Sequence, residues 1–103
     1  MSKKLIRYRV KPEKIEENQR LIKDVFRELH AKAPKDVRYL VFRLPDGTFC
    51  HLVEDDSNVI PQLDAFAKFR AGGEERRLEQ PQQLEPTIIG NYGKFIGAGD
   101  KNL

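Results

Sequence analysis

The first residues of the chain alternate between apolar and polar side chains, which predicts a strand over residues 4–10. A period of two residues is what a strand with one buried face requires. One side of this strand presents Ile6, Tyr8 and Val10, and the opposite side presents Leu5, Arg7 and Arg9.

A helix is predicted from about Pro12 to Lys32. Pro12 suits the first helical turn, and the glutamates that follow it place negative charge at the positive end of the helix dipole. The apolar residues of the segment recur with helical spacing on one side, namely Ile15, Leu21, Ile22, Val25, Phe26, Leu29 and Ala33. Pro34 disfavours helical geometry at Ala33, so we expect the helix to end near Lys32.

Two segments rich in β-branched and aromatic residues, 37–44 and 48–54, flank Pro45, Asp46 and Gly47. This pattern predicts a hairpin with a three-residue loop. Such a loop pairs Leu44 with Thr48, Phe42 with Cys50 and Leu40 with Leu52 on one face, and Arg43 with Phe49, Val41 with His51 and Tyr39 with Val53 on the other. A two-residue loop would move Phe49, His51 and Val53 to the first face. We prefer the longer loop because Pro45 fits a loop better than a paired strand position.

The second half of the chain predicts one more helix and one more strand. After a polar turn at 55–58, a helix begins near Ile60 or Pro61 and ends at the glycine pair 72–73. A short helical turn is expected within 74–79, a polar connector over 81–86 and a last strand over 87–92. We expect one domain over residues 1–95 and a mobile tail over 96–103.

The resulting order β-α-β-β-α-β predicts an α+β, ferredoxin-like sandwich with a four-stranded antiparallel sheet and two helices on one face. We assign the uniformly apolar face, formed by Leu40, Phe42, Cys50 and Leu52, to the helices. The open face then carries Tyr39, Val41, Phe49 and Val53. An apolar patch of that size usually marks an association surface, so we expect a homodimer that pairs through this face.

Composition narrows the class of protein further. The chain has 103 residues, 39% hydrophobic and 34% charged, which is typical of one globular domain. It holds no apolar run long enough to cross a bilayer and no signal-peptide core, so we expect a cytoplasmic protein without membrane contact. One Cys and two His do not match a zinc-ligand spacing, and no metal or cofactor is predicted. The net charge of +3 is spread along the chain, and nucleic-acid binding is not indicated.

His51 is the best candidate for a catalytic residue. Its unperturbed pKa near 6.5 suits a general base that removes a proton from a phenol-like substrate. A histidine in the middle of a strand also serves as a packed, hydrogen-bonded structural residue, and the sequence leaves both interpretations open.

Several arginines are expected near His51 at the dimer interface. In the predicted sheet Arg7, Arg9 and Arg43 share the open face with His51 and Tyr39. They would form either a site for an anion or enolate, or structural ion pairs with Glu54 or Glu85 across the dimer.

A ligand pocket between sheet and helices is the remaining candidate site. Its predicted lining consists of Tyr8, Phe42, Phe66 and Arg70, with Phe69 as a further aromatic neighbour. The aromatic residues would equally serve as plain core. Arg70 lies within the apolar arc of the second helix, where it would reach a ligand carboxylate or extend its head into water.

Three segments resemble the dimeric α/β barrels of the antibiotic-biosynthesis-monooxygenase type: LIRYRVKPEKIEEN at 5–18, YLVFRLPDGTFCHLVE at 39–54 and LDAFAKF at 63–69. The resemblance runs from about residue 5 to residue 92. It implies a ferredoxin-like protomer that faces its twin across a barrel, with a ligand pocket in each protomer. In the haem-degrading branch an Asn, a Trp and a His form the pocket signature, and this chain has no Trp.

Two functions follow as hypotheses from the resemblance and the candidate residues. One is cofactor-independent monooxygenation of a small aromatic or quinol-like substrate, with His51 as the base. The alternative is a non-catalytic dimeric module that binds a small ligand or a partner. Nucleic-acid binding through the open sheet is a weaker third hypothesis, because no glycine-aromatic motif is present.

Overall fold

Strands and helices follow one another along the chain in the predicted order. The computed structural model describes residues 3–93. Its elements are β1 (Lys4–Arg9), α1 (Ile15–Lys32), β2 (Val37–Arg43), β3 (Thr48–Asp55), α2 (Asp64–Ala71), α3 (Gly73–Arg76) and β4 (Gln82–Leu84), with 3-10 turns at Pro12–Lys14 and Ile60–Gln62. No helix in this part of the chain is long and apolar enough to span a membrane.

The four strands form one antiparallel sheet in the order β2-β3-β1-β4. Side chains from α1 and α2, including Ile22, Phe26 and Phe69, pack against one face of this sheet. This arrangement is the ferredoxin-like α+β sandwich that the element order predicts, with both long helices on the same face.

The ends of α1 follow from local sequence. Pro12 opens the 3-10 turn that leads into the helix, and Glu16 and Glu17 occupy the first helical turn. At the other end Ala33 adopts a left-handed φ of 46° and its N–H donates to the Leu29 carbonyl at 2.7 Å. The predicted end near Lys32 is confirmed. The helix stops there because Ala33 precedes a proline, and a residue in that position is disfavoured in the helical region.

The β2–β3 hairpin has the predicted register. Leu44 N donates to Thr48 O at 2.8 Å, and Phe42 lies opposite Cys50. Gly47 has a φ of +86°, which an L side chain rarely adopts, and Asp46 Oδ1 accepts a hydrogen bond from Thr48 N. The three-residue loop with a left-handed glycine is therefore confirmed.

The assignment of the two sheet faces was wrong. Phe49 is 1% exposed and packs with Tyr8 in the core beneath the helices, and Val41 packs against the same cluster. Because neighbours in register share a face, Tyr39, His51 and Val53 also lie on the helix side. The predicted dimer contacts Tyr39, Val41, Phe49 and Val53 are therefore not on the open face.

The open face instead carries a row of four leucines, one from each strand. The register places Leu40, Leu52, Leu5 and Leu84 side by side. Leu40 is 41% exposed and Phe42, in the adjacent row, is 43% exposed. Both faces are apolar, so alternation alone does not say which one the helices cover, and the more uniformly apolar face is the uncovered one.

The last strand lies earlier than predicted. β4 spans Gln82–Leu84, inside the segment expected to be a polar connector, and pairs with β1 at Leu5, Ile6 and Arg7. Residues 87–92, predicted as the strand, are not part of the sheet. The position of this strand follows from backbone pairing with the free edge of β1, and not from the β propensity of residues 87–92. The predicted tail, 96–103, lies outside the described residues.

Candidate functional site

His51 lies between two tyrosine hydroxyls on the helix side of the sheet. Its Nε2 is 2.8 Å from the hydroxyl oxygen of Tyr8, and its Nδ1 is 2.7 Å from that of Tyr39. Tyr8 is on β1 and Tyr39 on β2, and each is offset by two residues from the residue directly opposite His51. Long side chains reach each other across such diagonals, so three adjacent strands build the triad.

The hydrogen bonds continue from Tyr8 into the helices. Asn18 of α1 donates from Nδ2 to the Tyr8 hydroxyl at 3.1 Å, and Arg76 of α3 donates from Nε to Asn18 Oδ1 at 2.9 Å. Arg76 also donates to the carbonyl of Phe69, and its guanidinium carbon lies 5.3 Å from the Phe69 ring centre. Asn18, His51 and Arg76 are all buried.

These contacts constrain where the protons lie. Arg76 has no acceptor, so Asn18 presents Oδ1 to it and Nδ2 to Tyr8. A neutral imidazole donates from one nitrogen and accepts at the other. In either tautomer, therefore, one of the two tyrosines donates a hydrogen bond from its O–H to His51. The other tyrosine accepts a hydrogen bond from His51, and its own O–H is free to donate elsewhere.

Burial sets the protonation state of the triad. It lowers the pKa of His51 to about 4, so the imidazole is neutral near pH 7. Burial raises the pKa of Tyr8 to about 12, although the hydrogen bond from Asn18 and the charges of Arg76 and Arg77 oppose this shift. Burial likewise raises the pKa of Tyr39. All three groups are thus uncharged near neutral pH.

A cavity of about 500 Å³ lies beside the triad, between the sheet and α2. Its wall includes Tyr8, Tyr39 and His51, the rings of Phe66 and Phe69, and the charged side chains Lys4, Asp55, Asp56, Arg70 and Arg77. This volume falls within the range of small-molecule sites. A cavity with rings along its sides and hydroxyl groups in its wall suits a flat, partly polar ligand.

Four of the predicted site residues meet at this cavity. His51, Tyr8, Phe66 and Arg70 all line it, and Arg70 lies 6.0 Å above the Phe66 ring centre. Phe42 does not line it, because it projects from the opposite face of the sheet. Its assignment to the pocket rested on the exchanged faces and was wrong.

The predicted cluster of arginines around His51 does not form. Arg7 and Arg9 lie in register with Cys50 and Thr48, on the face opposite His51. Arg7 donates to Gln82 Oε1 at 2.7 Å, and Arg9 pairs with Glu79 at 3.3 Å. Arg43 lies in register with Phe49 and is exposed at the end of β2.

Cys50 also projects from the open face of the sheet, where it is 7% exposed. Burial raises the pKa of its thiol, which keeps it protonated and unreactive. No group of three or more His, Cys, Asp or Glu side chains suited to a metal ion occurs among residues 3–93.

The sequence did not identify Asn18, Arg76 and Arg77 as site residues. Asn18 occupies a helix position that the spacing of apolar residues does not single out, and the two arginines follow α2 in a segment read only as a short helical turn. One signal was available: Gly72 and Gly73 precede Arg76 and Arg77 by four residues, and their lack of side chains leaves room for the two guanidinium groups.

Comparison with solved structures identifies the fold class. An antibiotic biosynthesis monooxygenase matches with a TM-score of 0.67 and 14% identity, over 86% of this chain and 99% of that one. A protein from Nitrosomonas europaea, described as a candidate antibiotic biosynthesis monooxygenase, matches with a TM-score of 0.69 and 13% identity, over 86% and 99%. A conserved protein from Methanosarcina mazei Go1 matches with a TM-score of 0.66 and 18% identity, over 84% of this chain and 91% of that one.

At these identities the likeness establishes the fold and no more. The chain has the ferredoxin-like protomer fold of the antibiotic-biosynthesis-monooxygenase structures, which confirms the resemblance at the level of architecture. No protein-family model matches the chain, and no curated protein matches it in sequence.

Proposed function

We propose that this protein is a cofactor-independent monooxygenase that oxidises a small aromatic or quinol-like molecule. The observation that carries the proposal is the Tyr8–His51–Tyr39 triad in the wall of a cavity of about 500 Å³. Phe66 and Phe69 supply ring contacts for such a ligand, and the likeness of fold to monooxygenases supports the same chemistry.

His51 acts through the tyrosines and does not hydrogen-bond to the substrate. Both of its nitrogens are engaged by phenol oxygens, so a substrate hydroxyl meets Tyr8 or Tyr39 first. A proton passed from the substrate to one tyrosine moves that tyrosine's own proton to His51. The proton on the other imidazole nitrogen then passes to the second tyrosine, which releases its own into the cavity.

This relay avoids a charged imidazole. A pKa of about 4 makes imidazolium costly near pH 7, whereas the relay only exchanges one neutral tautomer for the other. The proton lost by the substrate at one tyrosine is thereby delivered at the other, where reduced oxygen needs it. An acidic substrate hydroxyl, as in a quinol or polyhydroxylated ring, suits so weak a base.

The overall reaction balances without an external reductant. A phenol with a free para position and one O₂ give the para-quinone and one water. Two hydrogens and four electrons leave the substrate, one oxygen atom enters the ring, and the other leaves as water. The substrate anion itself supplies the electrons for the first transfer to O₂, so the chemistry asks of the protein only binding, proton movement and exclusion of water.

Oxygen uptake with a panel of electron-rich phenols and naphthols tests the proposal. We expect one O₂ consumed for each quinone formed, without hydrogen peroxide. His51→Gln retains one donor and one acceptor but does not exchange tautomers, so it should bind the phenol and lose about 10²- to 10⁴-fold in kcat. His30→Gln, on the exposed surface of α1, is the matched control. Turnover that is unchanged in His51→Gln would remove the relay from the mechanism.

A binding module is the second candidate function. The observation that favours it is the complete hydrogen bonding of His51, whose low pKa and two phenol partners also fit a structural role. Such a module would hold the same ring compounds without consuming oxygen. Binding measured by calorimetry together with the absence of O₂ uptake would select this function over the first.

We further propose that two copies associate through the open face of the sheet. Leu40 and Phe42 are exposed on that face, as is Leu84 at its edge at 45%, and Leu5 and Leu52 of the leucine row are half-buried between them. Exposed apolar patches of this kind are typical of association surfaces, and a two-fold pairing needs only one self-complementary patch. The interface would therefore use Leu40, Phe42 and Leu52 in place of the residues that the sequence suggested.

A further inference from the structure

Two consecutive arginines, Arg76 and Arg77, lie close enough to Tyr8 for their charges to act on its hydroxyl group. Arg76 donates from Nε to Asn18 and from Nη2 to the Phe69 carbonyl. Arg77 lines the cavity, and its Nε is buried without a hydrogen-bond partner in the described part of the chain. A buried guanidinium N–H without an acceptor is costly, so Arg77 has hydrogen-bonding capacity that the described part of the chain does not use.

The cavity wall carries charges of both signs. Among residues 3–93, none of the ion pairs includes Arg76 or Arg77. Of the two carboxylates in the cavity wall, Asp55 accepts hydrogen bonds of 2.8 Å from the backbone N–H groups of Val59 and Ile60, and Asp56 is likewise not free. Arg77 therefore has no carboxylate at ion-pair distance among residues 3–93, whereas the charge of Glu17 acts on Arg76.

Gly73 leaves space for the side chain of Arg77. A Cβ at Gly73 would collide with Nη1 of Arg77, so the absence of a side chain leaves room for the guanidinium group. Gly72 stands in the same relation to Arg76, whose Nη1 would lie 2.9 Å from an added Cβ. The glycine pair thus lets two guanidinium groups lie close to the backbone of α3.

We infer that the ligand of this cavity is an aromatic acid, whose carboxylate pairs with the guanidinium group of Arg77 while its ring lies along Phe66 and Phe69. The inference rests on the proposed function only in using the same cavity. Guanidinium groups favour planar oxyanions, and the adjacent Arg76 charge adds to the attraction. A hydroxyl on the same ring would then meet the tyrosine triad.

Calorimetry with 1-hydroxy-2-naphthoate and 1-naphthol tests the inference, because the two probes differ only in the carboxylate. We expect the naphthoate to bind the wild-type protein more tightly than 1-naphthol. Arg77→Met should weaken the naphthoate about 10- to 100-fold and leave 1-naphthol unchanged. Gly73→Ala, which keeps the charge and displaces the guanidinium group, should weaken the naphthoate in the same direction. Lys68→Met, on the exposed side of α2, removes the same charge outside the cavity and should retain wild-type affinities.

The outcomes separate this inference from the oxygenase proposal. Equal affinity of the wild-type protein for both probes, or a carboxylate preference that survives Arg77→Met, would overturn the aromatic-acid assignment and leave a ring-binding cavity. Failure of both probes to bind would overturn the assignment and the proposed function together. A naphthoate that binds through Arg77 but consumes no oxygen would support the assignment and contradict the oxygenase activity alone.

Discussion

Arg76 and Asn18 are joined by a hydrogen bond of 2.9 Å from Nε to Oδ1, across 58 residues of chain and with both side chains buried. The bond fixes the orientation of the Asn18 amide, which in turn presents a donor to Tyr8. It therefore links α3 to the hydroxyl that contacts His51.

Replacing Arg76 with Met should destabilise the fold. The Asn18 Oδ1 and the Phe69 carbonyl would both lose their donor, and a buried group left without a partner costs about 1–3 kcal/mol. We expect the free energy of unfolding, measured by urea titration, to fall by this amount. Arg20→Met, at an exposed helix position, should change stability by less than about 0.5 kcal/mol. Equal stability of the two variants would mean that the buried chain of hydrogen bonds contributes nothing to folding.

The folded protein should become less stable as the pH is lowered, because of His51. Its pKa of about 4 in the folded state lies below the unfolded value of about 6.5, so the unfolded state binds the proton first. The contribution is complete above about pH 6.5 and is lost as the pH falls to about 4, by up to about 3 kcal/mol. Urea unfolding across this interval should show a smaller pH dependence in His51→Phe than in the wild type. His30→Phe, with its side chain at the surface, should keep the wild-type slope.

The two tyrosines of the triad should resist ionisation. Burial raises the pKa of both, that of Tyr8 to about 12. In a Tyr92→Phe protein, which lacks the 94% exposed tyrosine outside the triad, we expect no phenolate absorbance at about pH 10.5 in the folded state. Addition of urea at that pH should expose Tyr8 and Tyr39 and produce the absorbance at once. A folded protein that shows phenolate at about pH 10 would contradict the burial of the triad.

A charge on the leucine row should separate the proposed dimer. Leu40 is 41% exposed in the protomer, so Leu40→Glu leaves the core intact while placing a carboxylate in the interface. Sedimentation velocity should show a dimer for the wild type and a monomer for this variant. Arg20→Glu, on the outer surface of α1, changes charge in the same direction and should remain dimeric. A monomeric wild type at all concentrations would rule out the interface.

Much of the site was accessible from the sequence once the hairpin was in register. The three-residue loop at Pro45–Gly47 placed Tyr39 and His51 on one face, which is where the structure has them. The choice of the covered face failed because the covered set includes Tyr39 and His51, whose polar atoms are satisfied inside the core. Choosing the buried face by its number of apolar residues assumes that polar side chains face solvent. Polar side chains can nevertheless be buried when their hydrogen bonds are satisfied.

The sequence by itself determined the first three strands, the helices, the hairpin register and the ferredoxin-like order, because periodicity, turn residues and prolines act locally, but it misplaced the last strand. It also identified Tyr8, Phe66 and Arg70 as residues of one pocket, but it placed His51 on the opposite face of the sheet, and the structure brings His51 to the same cavity. Only the tertiary structure decided which sheet face the helices cover, since both faces are apolar and the choice depends on partners far apart in the chain. The partners that make burial of Tyr8 and His51 possible, Asn18 and Arg76, come from two helices 58 residues apart, and no local pattern joins them.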